Sequence, residues 1–281
     1  MAAAEMSRDE LLSLLSFYKD AGATDALADA PLDRFAEPEP VRATPEPAQA
    51  SFLEAQPRQP LKAPPTPAAP RPASRPSVPD EGQAALAREQ AARAGTLDEL
   101  KAAMEEFNGC NLKFTAKNIV FSDGNPAAEL MLVGEAPGRD EDIEGLPFVG
   151  RSGQLLDRML SAIGIDRGSA YVANVLPWRP PGNRTPTPQE TEICRPFIER
   201  QIELAAPKVL VALGGSSAKV LLGVSEGILR LRGNWKIYTT PGGTDIPLMP
   251  TLHPAYLLRT PAHKRLAWRD FLEVSARLRG E

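Results

Sequence analysis

Residues 128–150 read AELMLVGEAPGRDEDIEGLPFVG, and this stretch decides the fold. Its first seven residues form a short apolar run closed by a glycine, which is typical of a strand buried on both faces. Two later runs have the same character, AYVANVL at 170–176 and KVLVALG at 208–214. A fourth, IPLMPTLHP at 246–254, follows a hairpin-like region around KIYTTPGG. We therefore expect four buried strands in one sheet.

Helical patterns separate these strands along the chain. Four of them cover residues 83–106, 152–164, 218–222 and 263–278. A fifth begins at Thr187, which is followed by Pro188 and has capping-box spacing to Glu190. Strands that alternate with helices build a parallel sheet covered on both faces. The pattern therefore predicts an α/β fold of three layers, α/β/α, with a central, mostly parallel sheet.

Two further segments precede this body. Residues 31–80 contain 14 of the 29 prolines and few apolar residues, so we interpret 23–80 as a disordered linker. Residues 1–22 include SRDELLSLLSFYKDAG, where leucines at helical spacing predict an amphipathic helix. Either this helix docks on its own domain, or residues 7–20 bind a protein partner, and periodicity does not choose between the two. Residues 81–281 then form the globular domain.

Charge and composition bound the class of protein. Residues 1–80 carry 8 basic and 12 acidic residues and the rest carry 24 of each, so the net charge of −4 belongs to the first 80 residues. A neutral body still permits a local basic cleft for nucleic acid. No apolar run of about 18 residues occurs, and the start MAAAEMSRDE does not resemble a signal peptide. With two cysteines and no disulfide framework, we expect a cytoplasmic monomer with no membrane contact.

Four polar or aromatic residues follow the predicted strands. Glu135 and Phe148 lie in the loop after the first strand, Asn174 ends the second, and His253 follows the last. Because working loops of such sheets lie beyond the carboxyl ends of the strands, we expect the four side chains in one cleft. The set suits a planar base: a ring to stack on, an amide to read an imide edge, an imidazole donor and a carboxylate. Each residue alone has an ordinary structural explanation, and only the combination points to chemistry.

Five motifs in this order resemble the signature of the family-four uracil-DNA glycosylases: GEAPGRDED, GLPFVG, the Asn after AYVA, LPWRPPGNR and TLHPAYLLR. The resemblance runs from about Phe107 to Trp268, and it makes 81–281 the glycosylase-like catalytic domain. It implies an enzyme of base excision repair that flips uracil out of DNA and hydrolyses its N-glycosidic bond. The products are free uracil and an abasic site in the DNA. No metal or organic cofactor is required for this reaction.

The resemblance also implies roles for individual residues. Glu135 acts on the water or stabilises the sugar cation, and His253 lies near the base carbonyl, so these two are the catalytic candidates. Phe148 stacks on the extruded base and Asn174 reads its edge. The candidate base-binding residues are Phe148, Asn174, Ala136 and Gly134.

Candidate DNA-binding residues fall in three loops. Pro180, Pro181 and Gly182 resemble a loop that presses on the DNA backbone, and Leu257 and Leu258 stand where related enzymes wedge an apolar side chain into the base stack. Amides and hydroxyls of the LGGSS stretch and nearby guanidinium groups suit phosphates. The phosphate candidates are Gly214, Ser216, Arg184 and Arg259.

The chain departs from the family at the iron–sulfur cluster. Typical members hold a [4Fe–4S] cluster with four cysteines, and here Cys110 and Cys194 occupy the second and fourth positions while Phe107 and Trp178 replace the first and third. Two thiolates cannot hold a cluster that needs four ligands. We expect that the cluster is absent, that the aromatic side chains fill its volume, and that the two thiols lie close together. The proline-rich loop also has no His, so we expect turnover and not the covalent adduct of a trapping relative.

A second function remains open at this level. A glycosylase fold that has lost catalysis would act as a DNA-binding module and recruit partners through its N-terminal tail. The presence of Glu135, Phe148, Asn174 and His253 favours the enzyme.

Overall fold

The computed structural model of the protein describes residues 82–281. Its helices are α1 Gln83–Arg93, α2 Leu97–Glu106, α3 Arg139–Glu144, α4 Arg151–Ser161, α5 Pro188–Ala205, α6 Gly215–Leu222, α7 Ile228–Leu231, α8 Pro254–Arg259 and α9 Lys264–Arg279. Its strands are β1 Ser122–Gly124, β2 Leu130–Gly134, β3 Ala170–Asn174, β4 Val209–Leu213, β5 Lys236–Thr239 and β6 Asp245–Thr251. The helix predicted over 1–22 and the linker over 23–80 lie outside the described residues, so both stay predictions.

One six-stranded sheet organises the described domain, in the order β1-β3-β2-β4-β6-β5. The four inner strands, β3, β2, β4 and β6, run parallel to their neighbours, and β1 and β5 pair antiparallel at the two edges. Every residue of β2, β3 and β4 is buried, as expected for strands covered on both faces. The predicted mostly parallel sheet is confirmed.

Alternate residues of the inner strands enter two different cores. Met131 and Val133 pack into the core that α1, α2, α5 and α6 cover, whereas Leu130 and Leu132 pack into the core that α4 and α9 cover. The same alternation holds in β4. Because successive side chains of a strand point to opposite faces, the sheet has a helical layer on each side. This arrangement confirms the three-layer α/β/α prediction.

The predicted helix over 83–106 is wrong in one respect, since the structure has two helices there. The first ends at Arg93, and Thr96 begins the second by accepting a hydrogen bond from the backbone N–H of Glu99 at 3.2 Å. Arg200 donates two hydrogen bonds, at 2.8 and 3.0 Å, to the carbonyl of Ala94 in the break. The apolar periodicity continues across this interruption, so periodicity alone did not locate it.

The start of α5 has the predicted capping box. The Thr187 hydroxyl accepts from the Glu190 N–H at 3.1 Å, and the Glu190 carboxylate accepts from the Thr187 N–H at 2.8 Å. Arg184 donates to both carboxylate oxygens of Glu190, at 2.6 and 2.9 Å, and so ties the proline-rich loop to this helix.

From residue 82 onward, no helix combines the length and apolar character that crossing a bilayer demands.

Thr187→Ala is expected to lower the free energy of unfolding by about 1 kcal/mol, because the Glu190 N–H in the first turn of α5 loses its side-chain acceptor. Urea denaturation would measure the change. Thr185→Ala is the matched control, since Thr185 is an exposed neighbour whose side chain makes no hydrogen bond in the described residues. Equal stability of Thr187→Ala and wild type would show that the cap contributes nothing.

Candidate active site

The register of the sheet brings the predicted loops together. Gly134 at the end of β2 pairs with Asn174 at the end of β3, and Leu213 at the end of β4 pairs with Thr251 at the end of β6. A pocket of about 450 Å³ opens beyond these ends, a size usual for small-molecule sites. Its lining includes Glu135, Ala136, Pro137, Gly138, Glu141, Phe148, Ser152, Asn174, Pro180, Asn183, Arg184, Thr185, Pro186, His253, Ala255, Tyr256 and Arg259. The carboxylate, ring, amide and imidazole singled out in the sequence therefore share one pocket.

Asn174 presents an unused acceptor to this pocket. The residue is 6% exposed, and its Oδ1 atom is buried without a hydrogen-bond partner in the described part of the chain. A Cβ atom on Gly134 would lie 2.3 Å from that oxygen and 2.6 Å from the Phe148 ring, so only glycine leaves room for both side chains. A buried acceptor without a partner costs free energy, and a donor on a ligand in this pocket would remove that cost.

Phe148 and His253 stack at the pocket. Their ring centroids are 5.6 Å apart and the planes are inclined by 30°. Phe148 is buried, and its backbone adopts φ of 55°, in the left-handed region that non-glycine residues seldom enter. The loop therefore holds the aromatic face in a conformation that the residue itself does not favour.

His253 is a neutral donor at physiological pH. Burial lowers its pKa to about 4, and the positive charge of Arg259 acts in the same direction. Its Nδ1 atom accepts a hydrogen bond from the Ala255 N–H at 3.1 Å. The proton of the neutral ring is therefore on Nε2. On the other side, a Cβ atom on Gly214, whose φ is 99°, would come 3.0 Å from the His253 Cβ, so the LGGSS loop packs closely against the imidazole.

Glu135 lies in the same low-dielectric environment. Burial raises the pKa of its carboxyl group, and a hydrogen bond with Ser216 opposes that rise. Ser216 belongs to the first turn of α6, beyond the end of β4. Ser216, which the sequence predicted as a phosphate contact, therefore bonds the carboxyl group of Glu135 inside the site.

Glu141 is a pocket residue that the sequence reasoning missed. One carboxylate oxygen accepts from the Gly138 N–H and the other from the Gly150 N–H, both at 3.0 Å. It therefore joins the GEAPG loop to the loop that carries Phe148. The spacing from Gly138 to Glu141 is that of a capping box, so this signal was present in the sequence.

The proline-rich loop contributes in part to the pocket wall. Pro180 and Arg184 line the pocket, whereas Pro181 and Gly182 form an exposed 3₁₀ turn beside it. The bidentate ion pair with Glu190 already engages the Arg184 guanidinium. Within the described residues, Arg259 lines the pocket without a recorded hydrogen bond or ion pair, which leaves its charge available to a ligand.

The structure corrects the predicted wedge. Leu257 is 1% exposed and packs with Leu155 and Ala267, so it is not free to enter a base stack. Leu258 is partly buried against the same cluster. The face of α8 that lines the pocket carries Tyr256 instead, whose hydroxyl bonds His263 Nδ1 at 2.8 Å. Motif position alone did not show which way each side chain of this short helix points.

The four positions related to the iron–sulfur ligands lie in one core. Phe107, Trp178, Cys110 and Cys194 are all buried there. The two sulfur atoms are 3.9 Å apart, so the expected proximity of the thiols is confirmed. The hydrogen bond to Cys110 raises the pKa of Cys194, and burial raises it further, which keeps Cys194 a neutral thiol. Over residues 82–281, no group of three or more His, Cys, Asp or Glu side chains is placed to hold a metal ion.

Comparison with known proteins identifies the family. The profile described as the uracil DNA glycosylase superfamily matches residues 121–272. The chain is 39% identical over 184 residues to the type-4 uracil-DNA glycosylase of Archaeoglobus fulgidus. This aligned region is 64% of this chain and 92% of the relative. The Thermotoga maritima protein of the same name is 38% identical, covering 63% and 92%, and the one from Pyrobaculum aerophilum is 40% identical over 169 residues, covering 59% and 86%. The family whose motifs the loops resemble thus matches the region that folds around the pocket, and the chain belongs to the uracil-DNA glycosylase superfamily, among its type-4 members.

Proposed function

We propose that this protein is a uracil-DNA glycosylase that removes uracil from DNA and so begins base excision repair. The buried Oδ1 atom of Asn174, which lacks a donor in the described residues, is the observation that carries the proposal. The imide edge of uracil supplies the missing donor through its N3–H, and the Asn174 amide N–H can donate to the adjacent carbonyl. The names of the type-4 relatives support the same substrate.

The reaction needs the nucleotide outside the helix, because the sugar–base bond is not accessible within a stacked duplex. Phe148 then provides a surface for the base to stack on, Gly134 leaves room for the Phe148 and Asn174 side chains, and Ala136 lines the pocket beside them. As the N-glycosidic bond stretches, both bonding electrons go to the base, which becomes a uracil anion, while the sugar becomes oxocarbenium-like. The neutral Nε2–H of His253 donates to the base oxygen where this negative charge develops.

Glu135 acts on the sugar side of the broken bond. Its carboxylate stabilises the positive sugar and orients the water that attacks it, so its deprotonated form is the active one. Water adds to the sugar carbon and gives a proton to the Glu135 carboxylate, which returns it to solvent, and the uracil anion takes up a proton from solvent, leaving an abasic site and free uracil. Burial sets the pKa of Glu135 above its usual value, and the Ser216 hydroxyl keeps that rise in check.

DNA contacts surround the pocket mouth. Arg259 is the guanidinium we assign to a phosphate, since it lines the pocket and its charge is not engaged elsewhere in the described region. Pro181 and Gly182 form the exposed turn that approaches the DNA backbone, with Pro180 buried behind them. The amides of the first turn of α6 after Gly214 suit a further phosphate, whereas the Gly214 N–H already donates to the Thr251 carbonyl at 2.9 Å. Leu258 remains a wedge candidate, and Tyr256 joins it by position.

The residues present do not fit a [4Fe–4S] cluster. Only two thiols are available, they contact each other, and buried aromatic side chains stand at the other two positions. Phe107 packs edge-on against Phe197, with ring centroids 5.2 Å apart, as part of the hydrophobic core. We therefore propose that packing replaces the cluster in this chain, and no step of the reaction passes through iron.

A short oligonucleotide with a single uracil, treated with the protein and then with alkali, tests the function. Strand cleavage at the uracil position is expected, and the same oligonucleotide with thymine should stay intact. If neither single- nor double-stranded uracil DNA is cleaved although both are bound, the chain is the DNA-binding module and not the enzyme.

Asn174→Ala is expected to lower the single-turnover rate of uracil excision about 100-fold or more, because the base loses both hydrogen bonds that hold its edge in a desolvated pocket. Rapid-quench assays on the uracil oligonucleotide would measure this rate. Asn108→Ala, an exposed asparagine remote in sequence from the pocket loops, serves as the control and should keep the wild-type rate. A fully active Asn174→Ala protein would refute the base-reading role.

Ser216→Ala is expected to move the acid limb of the kcat/KM profile to higher pH. The change removes a hydrogen bond that lowers the pKa of Glu135, so the carboxylate becomes protonated at a higher pH on acidification. Activity–pH profiles of the two proteins would show the shift. Ser152→Ala, which also changes a serine of the pocket wall, should leave the limb in place. An unmoved limb in Ser216→Ala would mean that Glu135 does not set it.

Iron content tests the cluster proposal. Protein purified without oxygen is expected to contain far less than stoichiometric iron and sulfide, to show no visible charge-transfer band, and to keep its excision rate after chelation. Phe107→Cys with Trp178→Cys restores four cysteines and provides the comparison. Stoichiometric iron in the unaltered protein would overturn the proposal.

A further inference from the structure

Phe148, whose ring is the proposed stacking surface, has a strained backbone conformation that neighbouring residues must stabilise. Phe148 has φ of 55°, a sparsely populated region that a non-glycine residue occupies only at a cost in free energy. Gly153 of α4 packs directly beneath it, since a Cβ atom there would lie 1.6 Å from the Phe148 carbonyl oxygen. The Phe148 carbonyl therefore lies against the first turn of α4 at a point where only glycine fits.

Arg167 binds that carbonyl. Its guanidinium donates to the Phe148 oxygen at 2.6 Å and to the preceding Pro147 oxygen at 3.2 Å. The same group forms ion pairs with Asp157 at 2.6 Å and Asp123 at 3.0 Å. Two carboxylates thus fix the guanidinium, and its remaining donors fix two successive carbonyls of the loop.

The position of Arg167 in the fold makes this contact effective. It lies in the 3₁₀ turn Arg167–Ser169 just before β3, while Asp123 belongs to β1 and Asp157 to α4. Because Asp123 and Asp157 belong to a strand and a helix, they fix the Arg167 guanidinium relative to the sheet, and the guanidinium in turn fixes the loop that contains Phe148. A planar group with five donors suits four acceptors at once, which a lysine ammonium with three donors cannot match.

We propose that Arg167 is a positioning residue of the glycosylase reaction, which holds the Phe148 backbone in its left-handed conformation and so sets the plane on which the extruded base stacks. This inference rests on the proposed function, because it assigns a purpose to the stacking plane. Arg167 does not line the pocket and touches no reacting atom, so it acts only through Phe148. A misplacement of the base by about 1 Å is enough to cost about 100-fold in rate.

A double-mutant cycle on excision from the uracil oligonucleotide tests the link. Arg167→Gln is expected to lower the single-turnover rate by about 10- to 100-fold. Phe148→Leu, which keeps an apolar side chain in the core but removes the aromatic plane, should also be slow. The double variant should be no slower than Phe148→Leu alone within about threefold, because the two changes remove one shared interaction. Losses that multiply in the double variant would overturn the proposal and leave Arg167 a general stabiliser.

Arg200→Gln is the matched control. Arg200 also donates to a backbone carbonyl, that of Ala94, and pairs with Glu203, but it lies on α5 away from the pocket lining. Its loss should lower thermal stability and leave the excision rate unchanged. If Arg167→Gln does not fold, Arg167→Lys, which retains the charge, takes its place in the cycle with the same expected loss.

Hydrogen exchange gives a readout that does not depend on activity. Amides over 145–153 should exchange faster in Arg167→Gln than in wild type, and Arg200→Gln should not change them. Unchanged exchange in this stretch would overturn the proposal even if excision were slow. A wild-type protein that releases no uracil would instead refute the proposed function, while the exchange experiment would still decide whether Arg167 holds the loop.

Discussion

Parallel pairing of β2 with β3, and of β4 with β6, makes the strands end level with one another. Gly134 faces Asn174 across one ladder and Leu213 faces Thr251 across the other, so the loops that follow leave the sheet at the same edge. A shift of one residue in the β2–β3 register would turn the Asn174 side chain to the other face of the sheet. The arrangement of acid, ring, amide and imidazole is therefore a consequence of backbone hydrogen bonding, which packing of both sheet faces holds in register.

Burial then decides the protonation of the two catalytic candidates. The same desolvation raises the pKa of Glu135 and lowers that of His253, since in each case it disfavours the charged form. The neutral imidazole of His253 can still donate a hydrogen bond through its Nε2–H. The Ser216 hydroxyl opposes the rise in the pKa of Glu135, whereas no hydrogen bond from residues 82–281 raises the pKa of His253. The same buried environment therefore favours a neutral, hydrogen-bond-donating His253 and raises the pKa of the Glu135 carboxyl group.

Sequence reasoning reached the sheet and the four pocket residues because short apolar runs and the loops after them are local features. It did not reach features that depend on contacts between distant segments. The break between α1 and α2 depends on Arg200 from α5, and the burial of Leu257 depends on the packing of α4 and α9 around α8. Arg167 carries no motif at all, since its importance comes from four acceptors on three separate elements. The antiparallel edge strand β1, three residues long, was likewise too short to be distinguished by pattern.

The even balance of charge in the globular part has a consequence for how the protein searches for damage. Residues 81–281 carry as many basic as acidic residues, and Glu190 already neutralises Arg184 at the pocket mouth. Because Glu190 pairs with Arg184, that guanidinium displaces few counterions from DNA and adds little to nonspecific, salt-dependent binding. Residence is extended mainly where a base leaves the helix and satisfies the waiting amide oxygen. In the proposed function, hydrogen bonding inside the pocket therefore contributes the recognition of the damaged base that the paired guanidinium does not.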